Sequence, residues 1–360
     1  MRPHTLCCLL LSTIFAVHPF TSLAFETDQF NLPPVPLADI GNEVSQYVEE
    51  NLRLAVDKVN SDISKGQKCI GAPKAEGCGS ADAEIKKLKY LRSNNAIARE
   101  LFKRIGDGSL MFTKFGKWMN SHKFNAQPAS YKTSYRESIF IFMPYDYLTI
   151  SPTVRLFGSE FGIDKLEHFF QQGYKYYTVE TEAISKGLSS DEAARKAVKW
   201  GQRTERTYYG LLVSGVYSNA DLYANYAGMK FYAGLTATMQ IGNVERAPIV
   251  VLIDGKWVVD GASLNERLLK PFLTDHMNEA LNPSSYAFNL FPSVRRAVKK
   301  YGCPEWRQAY PDLTLSAISE RSKALELWNG EDYGFTKRSR MVTIAETCFE
   351  TEQSAITGQG

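Results

Sequence analysis

Apolar residues at steps of three and four recur in two long stretches of this chain, the spacing of a helix with one buried face. Leu37, Ile40, Val44, Val48, Leu52, Val56, Val59 and Ile63 form the first stripe, which predicts a long amphipathic helix over 37–63 after Pro33, Pro34 and Pro36. Ile85, Leu88, Leu91, Ile97, Leu101 and Ile105 form the second, predicted as its partner and closed by Gly106 and Gly108. Three further helices are expected between 162 and 235. The first runs from Ile163 to about Ser185 and stops at Gly187, the second from Ser189 or Ser190 to about Val213, and the third from near Ser218 to Ala233. Segment 247–260 has the opposite character. Two β-branched runs flank Asp254-Gly255, the pattern of a hairpin. Residues 138–143 are a second candidate strand, ended by Pro144, and 262–330 reads as helices broken by prolines. The expected fold is mainly α, a soluble helical bundle with a small β-hairpin.

The first 24 residues are set apart from that fold. Arg2, the apolar stretch Leu6–Val17, Pro19 and Ser22-Leu23-Ala24 have the layout of a secretory signal peptide, with Phe25 as the expected mature N-terminus. The apolar stretch is about 12 residues, against about 20 for a membrane span, and no later stretch is long enough. No transmembrane segment is therefore expected in the mature chain, and the location should be periplasmic or secreted. Cys7 and Cys8 leave with the leader. Cys69, Cys78, Cys303 and Cys348 then face an oxidising compartment, where the pairs Cys69–Cys78 and Cys303–Cys348 each stay within one region of the chain. The organisation expected is 1–24 signal peptide, 25–108 disulfide-pinned helical hairpin, 109–161 irregular aromatic segment, 162–240 three-helix core, 241–336 hairpin and C-terminal helices, and 337–360 tail.

Charge narrows the function. Lys and Arg number 42 against 39 Asp and Glu, a net +3, without the basic stripe that nucleic-acid binding needs. Five histidines, two of them (His4 and His18) in the leader, exclude a histidine-rich metal cage. Walker, dinucleotide-binding, G-x-S-x-G and H-E-x-x-H motifs are all missing, so no cofactor is indicated. His122 and His276 read as surface residues. Arg295, Arg296, Lys299 and Lys300 read as a solvated helix face, with an anionic membrane contact as the alternative. The tyrosines from Tyr174 to Tyr232 read as core, with sugar stacking as the alternative.

The chemistry-bearing residues lie on the three central helices. Asp164, His168 and Gln172 step by four and share one face. Glu205 is expected well inside the second helix, flanked by Arg203 and Arg206. Asp221, Asn225 and Gly228 share a face of the third. Packed together, these helices bring carboxylates to one histidine, the composition of a general acid–base site. Capping explains part of the set, since Asp164-x-x-Glu167 and Ser218-x-x-Asp221 both have capping-box spacing. It does not explain His168, Asn225 or Glu205. Asp164, His168, Glu205 and Asp221 could also ligate a divalent ion, a reading the acid–base one displaces.

Asp164-Lys165-x-x-His168-Phe169, then Glu205, then Ser218-x-x-Asp221-x-x-x-Asn225-x-x-Gly228 resembles the core pattern of VanZ-like proteins and of small YfiM-type envelope domains. The resemblance covers 164–228. It implies an envelope location more clearly than a reaction. In VanZ-like proteins these helices are membrane spans, whereas Lys175, Glu180, Glu182, Lys196, Lys199, Arg203 and Arg206 make them amphipathic here.

The expectation is an envelope hydrolase or transferase acting on a cell-wall or lipid-linked substrate. His168 is the general base, Asp164 orients it, and Glu205 and Asp221 are the other acids. Lys165, at the rim, and Asn225 hold the substrate, with Ser218 a weaker nucleophile candidate. The alternative is a non-catalytic envelope scaffold or binding protein in which the same residues form a buried polar network.

Overall fold

The computed structural model describes residues 26–71, 76–108, 113–207, 209–262 and 264–349. The predicted leader and residues 350–360 of the predicted tail lie outside them. The protein is mainly helical, with short antiparallel strand pairs, and among the described residues no helix is long and apolar enough to cross a membrane.

The first stripe forms the helix Gly41–Gly71, with Val44, Val48, Leu52, Val56, Val59 and Ile63 buried along it. Leu37 and Ile40 are buried too, but ahead of the helix. The second stripe is two helices rather than one, Ala81–Leu91 and Asn94–Ile105. The reason lies in its spacing. Leu91 to Ile97 is a step of six, which a continuous helix would send to a different face, so the chain breaks at Arg92-Ser93 and starts again in phase. Ser93 Oγ caps the break by donating to Tyr90 O at 2.7 Å. Ile85, outside the re-phased stripe, is exposed. Cys69, near the end of the first helix, pairs with Cys78 just ahead of the second, Cα–Cα 5.3 Å.

Segment 138–143 is a run of turns, not a strand. Ile139 and Phe140 are both buried, and the Ile139 N–H donates to the buried Asp28 carboxylate instead of to a neighbouring strand. The segment expected to be irregular holds an antiparallel hairpin, Thr153–Leu156 with Ser159–Gly162. The Asp254-Gly255 hairpin forms as expected, Val250 opposite Val259, with positive φ at both turn residues.

The central helices pack together. The first begins as Ile163–Glu167, passes through a π-helical turn His168–Gln172 and continues as Gly173–Ser185. The wider turn leaves Phe170 O to accept from the Tyr232 hydroxyl at 2.9 Å. The second, Ser190–Glu205, opens with a complete Ser189/Glu192 capping box. It ends eight residues earlier than expected, because Gly210 folds back onto the Glu205 carbonyl and Leu211 N–H donates to it. Glu205 is therefore the last residue of its helix, not an interior one. The third, Asn219–Gly234, is buried along almost its whole length. Gly228 makes this possible, since its Cα faces Gly173 and the Phe169 carbonyl.

Short strands complete the fold. Val216–Ser218, Ser284–Tyr286 and Met341–Val342 form a three-stranded antiparallel sheet. Its first strand alternates with consequence: Val216 joins a second apolar cluster with Phe30, Tyr286 and Trp306, while Tyr217 joins the main core. Cys303 pairs with Cys348 in the second cluster, Cα–Cα 5.2 Å.

Gly228→Ala would put a methyl 2.0 Å from Phe169 O and 2.9 Å from Gly173 Cα, backbone atoms that cannot swing away. The substitution should cost at least about 1–3 kcal/mol, measured by urea denaturation. A neutral result would mean the two helices do not cross this closely.

Candidate functional site: a buried lysine among carboxylates

At the start of the His168 helix, Lys165 is fully buried and its ammonium donates three bonds of 2.6 Å, to Asp164 Oδ2, Asp221 Oδ1 and Glu279 Oε1. The lysine thus lies at the centre of the polar cluster and not at its rim. An ammonium has three donors and no acceptor, and here each donor has a carboxylate. Those three carboxylates come from different segments, and their oxygens lie within 4.8 Å of one another. That is also the geometry of a divalent-ion site, but the ammonium already occupies the position such an ion would take. Burial by itself lowers the Lys165 pKa, and the carboxylates more than reverse this, holding it well above its ordinary value.

Each carboxylate is held from behind. Asp164 accepts from the Thr27 hydroxyl, and its own N–H donates to Ser151 Oγ at 2.9 Å. Asp164 is not a cap, since Gly162 holds the N-cap position of the helix that begins at Ile163. Ser218 is one: its Oγ accepts from Asp221 N–H at 3.1 Å while donating to Glu279 Oε1 at 2.8 Å. Ser218 is thereby tied up as a link rather than left as a free nucleophile. Glu279 N–H donates to Gln29 Oε1 at 2.7 Å.

His168 sits one helical turn from Lys165, at the first position of the π turn. Its Nδ1 is 3.1 Å from Asn225 Oδ1 and its Nε2 is 3.5 Å from Asp221 Oδ2. With the Asn225 oxygen as acceptor, the proton sits on Nδ1 and Nε2 is the position left for proton exchange. Glu205 Oε1 accepts from Ser218 N–H at 3.0 Å. Asp164, Lys165, His168, Glu205, Asp221 and Asn225 are thus joined through one network, all buried. Gln172 is buried on the same helix and bonds Gln171.

Sequence reasoning missed Glu279, Glu26 and Thr27. Glu279 lies in a loop between the short 3-10 turn Asp275–Met277 and the strand Ser284–Tyr286, where no periodicity marks a buried residue. Glu26 and Thr27 immediately follow the predicted leader. The other histidines divide. His122 is largely exposed and faces Glu43 at 3.4 Å. His276 is half-buried: it stacks on Tyr223, lies between Thr274 and the Leu327 carbonyl, and burial lowers its pKa. Tyr176, Tyr177, Tyr223, Tyr226 and Tyr232 are core, with hydroxyls on Asn95 (Tyr177), Phe272 O (Tyr223) and Glu331 (Tyr226), while Tyr174 and Tyr209 are half-buried; Tyr208 lies outside the described residues.

Negative charge is in excess. Burial, and then Glu279 and Asp221, push Glu26 well above the ordinary carboxylate range; burial, and then Asp221, do the same to Glu205. Glu279 rises to about 7, burial outweighing the attraction of Lys165. Each of these acids holds its proton to higher pH than an ordinary carboxyl. Comparison with known protein families, curated proteins and solved structures finds no match for the chain.

A carboxyl whose pKa is raised by folding binds more protons folded than unfolded, so it lowers stability as pH rises through the shifted range. From about pH 5 to about pH 8 the melting temperature should fall. Glu205→Gln, which keeps the shape but not the titration, should flatten that decline, and a profile unchanged by the substitution would contradict the raised pKa. Lys165→Met leaves three buried carboxylates without their cation and should cost about 3–5 kcal/mol, read by chemical denaturation.

Proposed function

We propose that the chain is an exported envelope protein whose His168 cluster carries out general acid–base chemistry, as a hydrolase or transferase on a cell-wall or lipid-linked substrate. The observation that carries this reading is a set of orphaned polar atoms. Glu279 Oε2 and Glu26 Oε2 are buried without a hydrogen-bond partner among the described residues, and His168 Nε2 makes no hydrogen bond there, facing only the Asp221 carboxylate at 3.5 Å. A purely structural network satisfies its members, and unsatisfied buried groups gather where a site has work to do. His168 Nε2 accepts a proton from an attacking water or hydroxyl as that oxygen bonds to the electrophile. Glu205, kept protonated by burial, donates to the leaving oxygen as its bond breaks. Asn225 sets the imidazole orientation, and Lys165 holds Asp164 and Asp221 in place. Lys165 becomes a positioning residue instead of a substrate ligand. The π turn at His168 supports the reading, since such turns are frequent at functional sites. Two cysteine pairs at disulfide distance are compatible with an oxidising compartment. The resemblance to VanZ-like and YfiM-type proteins agrees with an envelope location.

One observation favours the rival reading, a scaffold. His168 and Asn225 are 4% exposed and Asp164, Lys165, Glu205, Asp221 and Glu279 less, so the cluster can serve as a polar lock between segments.

His168→Ala separates the two. The full mature chain is incubated with isolated cell envelopes of the native host, and release of soluble fragments or phosphate is followed beside a thermal melt. An enzyme loses release with little change in melting temperature. A scaffold releases nothing in either form and loses about 1–3 kcal/mol of stability. A variant that releases and melts like wild type rejects both.

A further inference from the structure

A second feature stands apart from the Lys165 cluster. A cleft of about 690 Å³ opens between the helices Phe291–Ala297 and Leu315–Ala324 and the segment that follows Phe335. That volume is in the range of small-molecule sites. Five cationic side chains line it, Arg295, Lys323, Lys337, Arg338 and Arg340, against two carboxylates, Glu326 and Glu346. Lys337 is matched by Glu326 at 2.8 Å, and Arg295 and Glu346 have partners of their own. Lys323, Arg338 and Arg340 have no ion-pair partner among the described residues. Interleaved with these charges are apolar walls, Phe291, Phe335, Met341 and Ala345.

Three details mark the cleft as more than a solvated basic face. Arg338 stands over the Tyr217 ring, 4.5 Å from its centroid, which holds the guanidinium in place. Arg338 Nε and Ser322 Oγ, both in the walls, are buried without a partner among the described residues. Arg340 has φ +61, a conformation side chains rarely adopt, and its Nε donates to Tyr286 O at 3.2 Å. Such strain persists only where its surroundings impose it, and it clusters at ligand clamps. Two guanidiniums and an ammonium suit a phosphate, which guanidinium groups bind with two parallel hydrogen bonds. The apolar walls suit a hydrocarbon attached to that phosphate. Of the basic run, Arg295 lines the cleft, while Arg296, Lys299 and Lys300 are exposed, as a solvated helix face is.

We propose that this cleft binds an amphiphilic phosphate, a phosphate ester carrying short apolar chains. The inference does not rest on the acid–base reading of His168 and stands if that reading fails.

Isothermal titration of the full chain with dihexanoyl phosphatidate tests it, beside dihexanoyl phosphatidylcholine (the same chains with a zwitterionic head) and inorganic phosphate. Phosphatidate should bind saturably at one per chain, and at least tenfold more tightly than either control. Lys323→Ala with Arg340→Gly should weaken it at least tenfold; glycine accepts the positive φ, so the loop geometry is kept. Lys323→Glu, at an exposed position, repeats the test with the loop untouched. Co-sedimentation with phosphatidate vesicles, lost in the double variant, would identify a membrane lipid as the source. Binding of the dispersed ligand alone would identify a soluble one, and either supports the site. Equal binding of the phosphatidylcholine or of inorganic phosphate, or binding that neither variant weakens, overturns it.

Discussion

A lysine ammonium taken fully out of water is tolerated only if every one of its protons meets an acceptor, and Lys165 meets three carboxylates. This single requirement organises the centre of the molecule. It joins the start of the His168 helix to the start of the Asp221 helix and to the loop carrying Glu279. Behind those carboxylates stand Thr27, Gln29, Ser151 and Ser218, so two further segments, 27–29 and the one carrying Ser151, are fixed by the same charge. Such a centre specifies an arrangement more than it adds net stability, because desolvation offsets much of the attraction.

Charge balance gives the cluster its chemical character. Five buried carboxyls face one lysine and one histidine. The excess raises the proton affinity of Glu26, Glu205 and Glu279, through burial and their mutual repulsion. A set of acids with raised proton affinity beside an imidazole fixed by Asn225 is suited to proton transfer. It also makes the fold responsive to pH, since the same groups that supply protons weaken the structure when they lose them.

Backbone detail sets the distances. The π turn at His168–Gln172 and the contact of Gly173 with Gly228 let two helices approach closely enough for His168 to reach both Asn225 and Asp221. Neither feature has a signature in side-chain hydrophobicity. The early end of the helix at Glu205 is of the same kind: Tyr209, Gly210 and Leu211 continue a helical pattern in sequence, and only the fold-back of Gly210 shows why they leave it.

The helical character, the Asp254-Gly255 hairpin and the pairing of nearby cysteines were legible in the residues, because each rests on local periodicity, local turn chemistry or short separation along the chain. The grouping of Asp164, His168, Glu205, Asp221 and Asn225 was partly legible, since helical spacing tells which residues share a face. Spacing is silent about what that face meets. It therefore placed Lys165 at a rim, where an unpaired cation belongs, and passed over Glu279 and Glu26, which lie 114 residues after and well before the lysine they surround. Tertiary structure alone decided that Lys165 is central and that Asp164 binds it instead of capping a helix. The physical reason is that a buried charge is defined by its neighbours in space, and those neighbours come from segments with no regular relation in sequence.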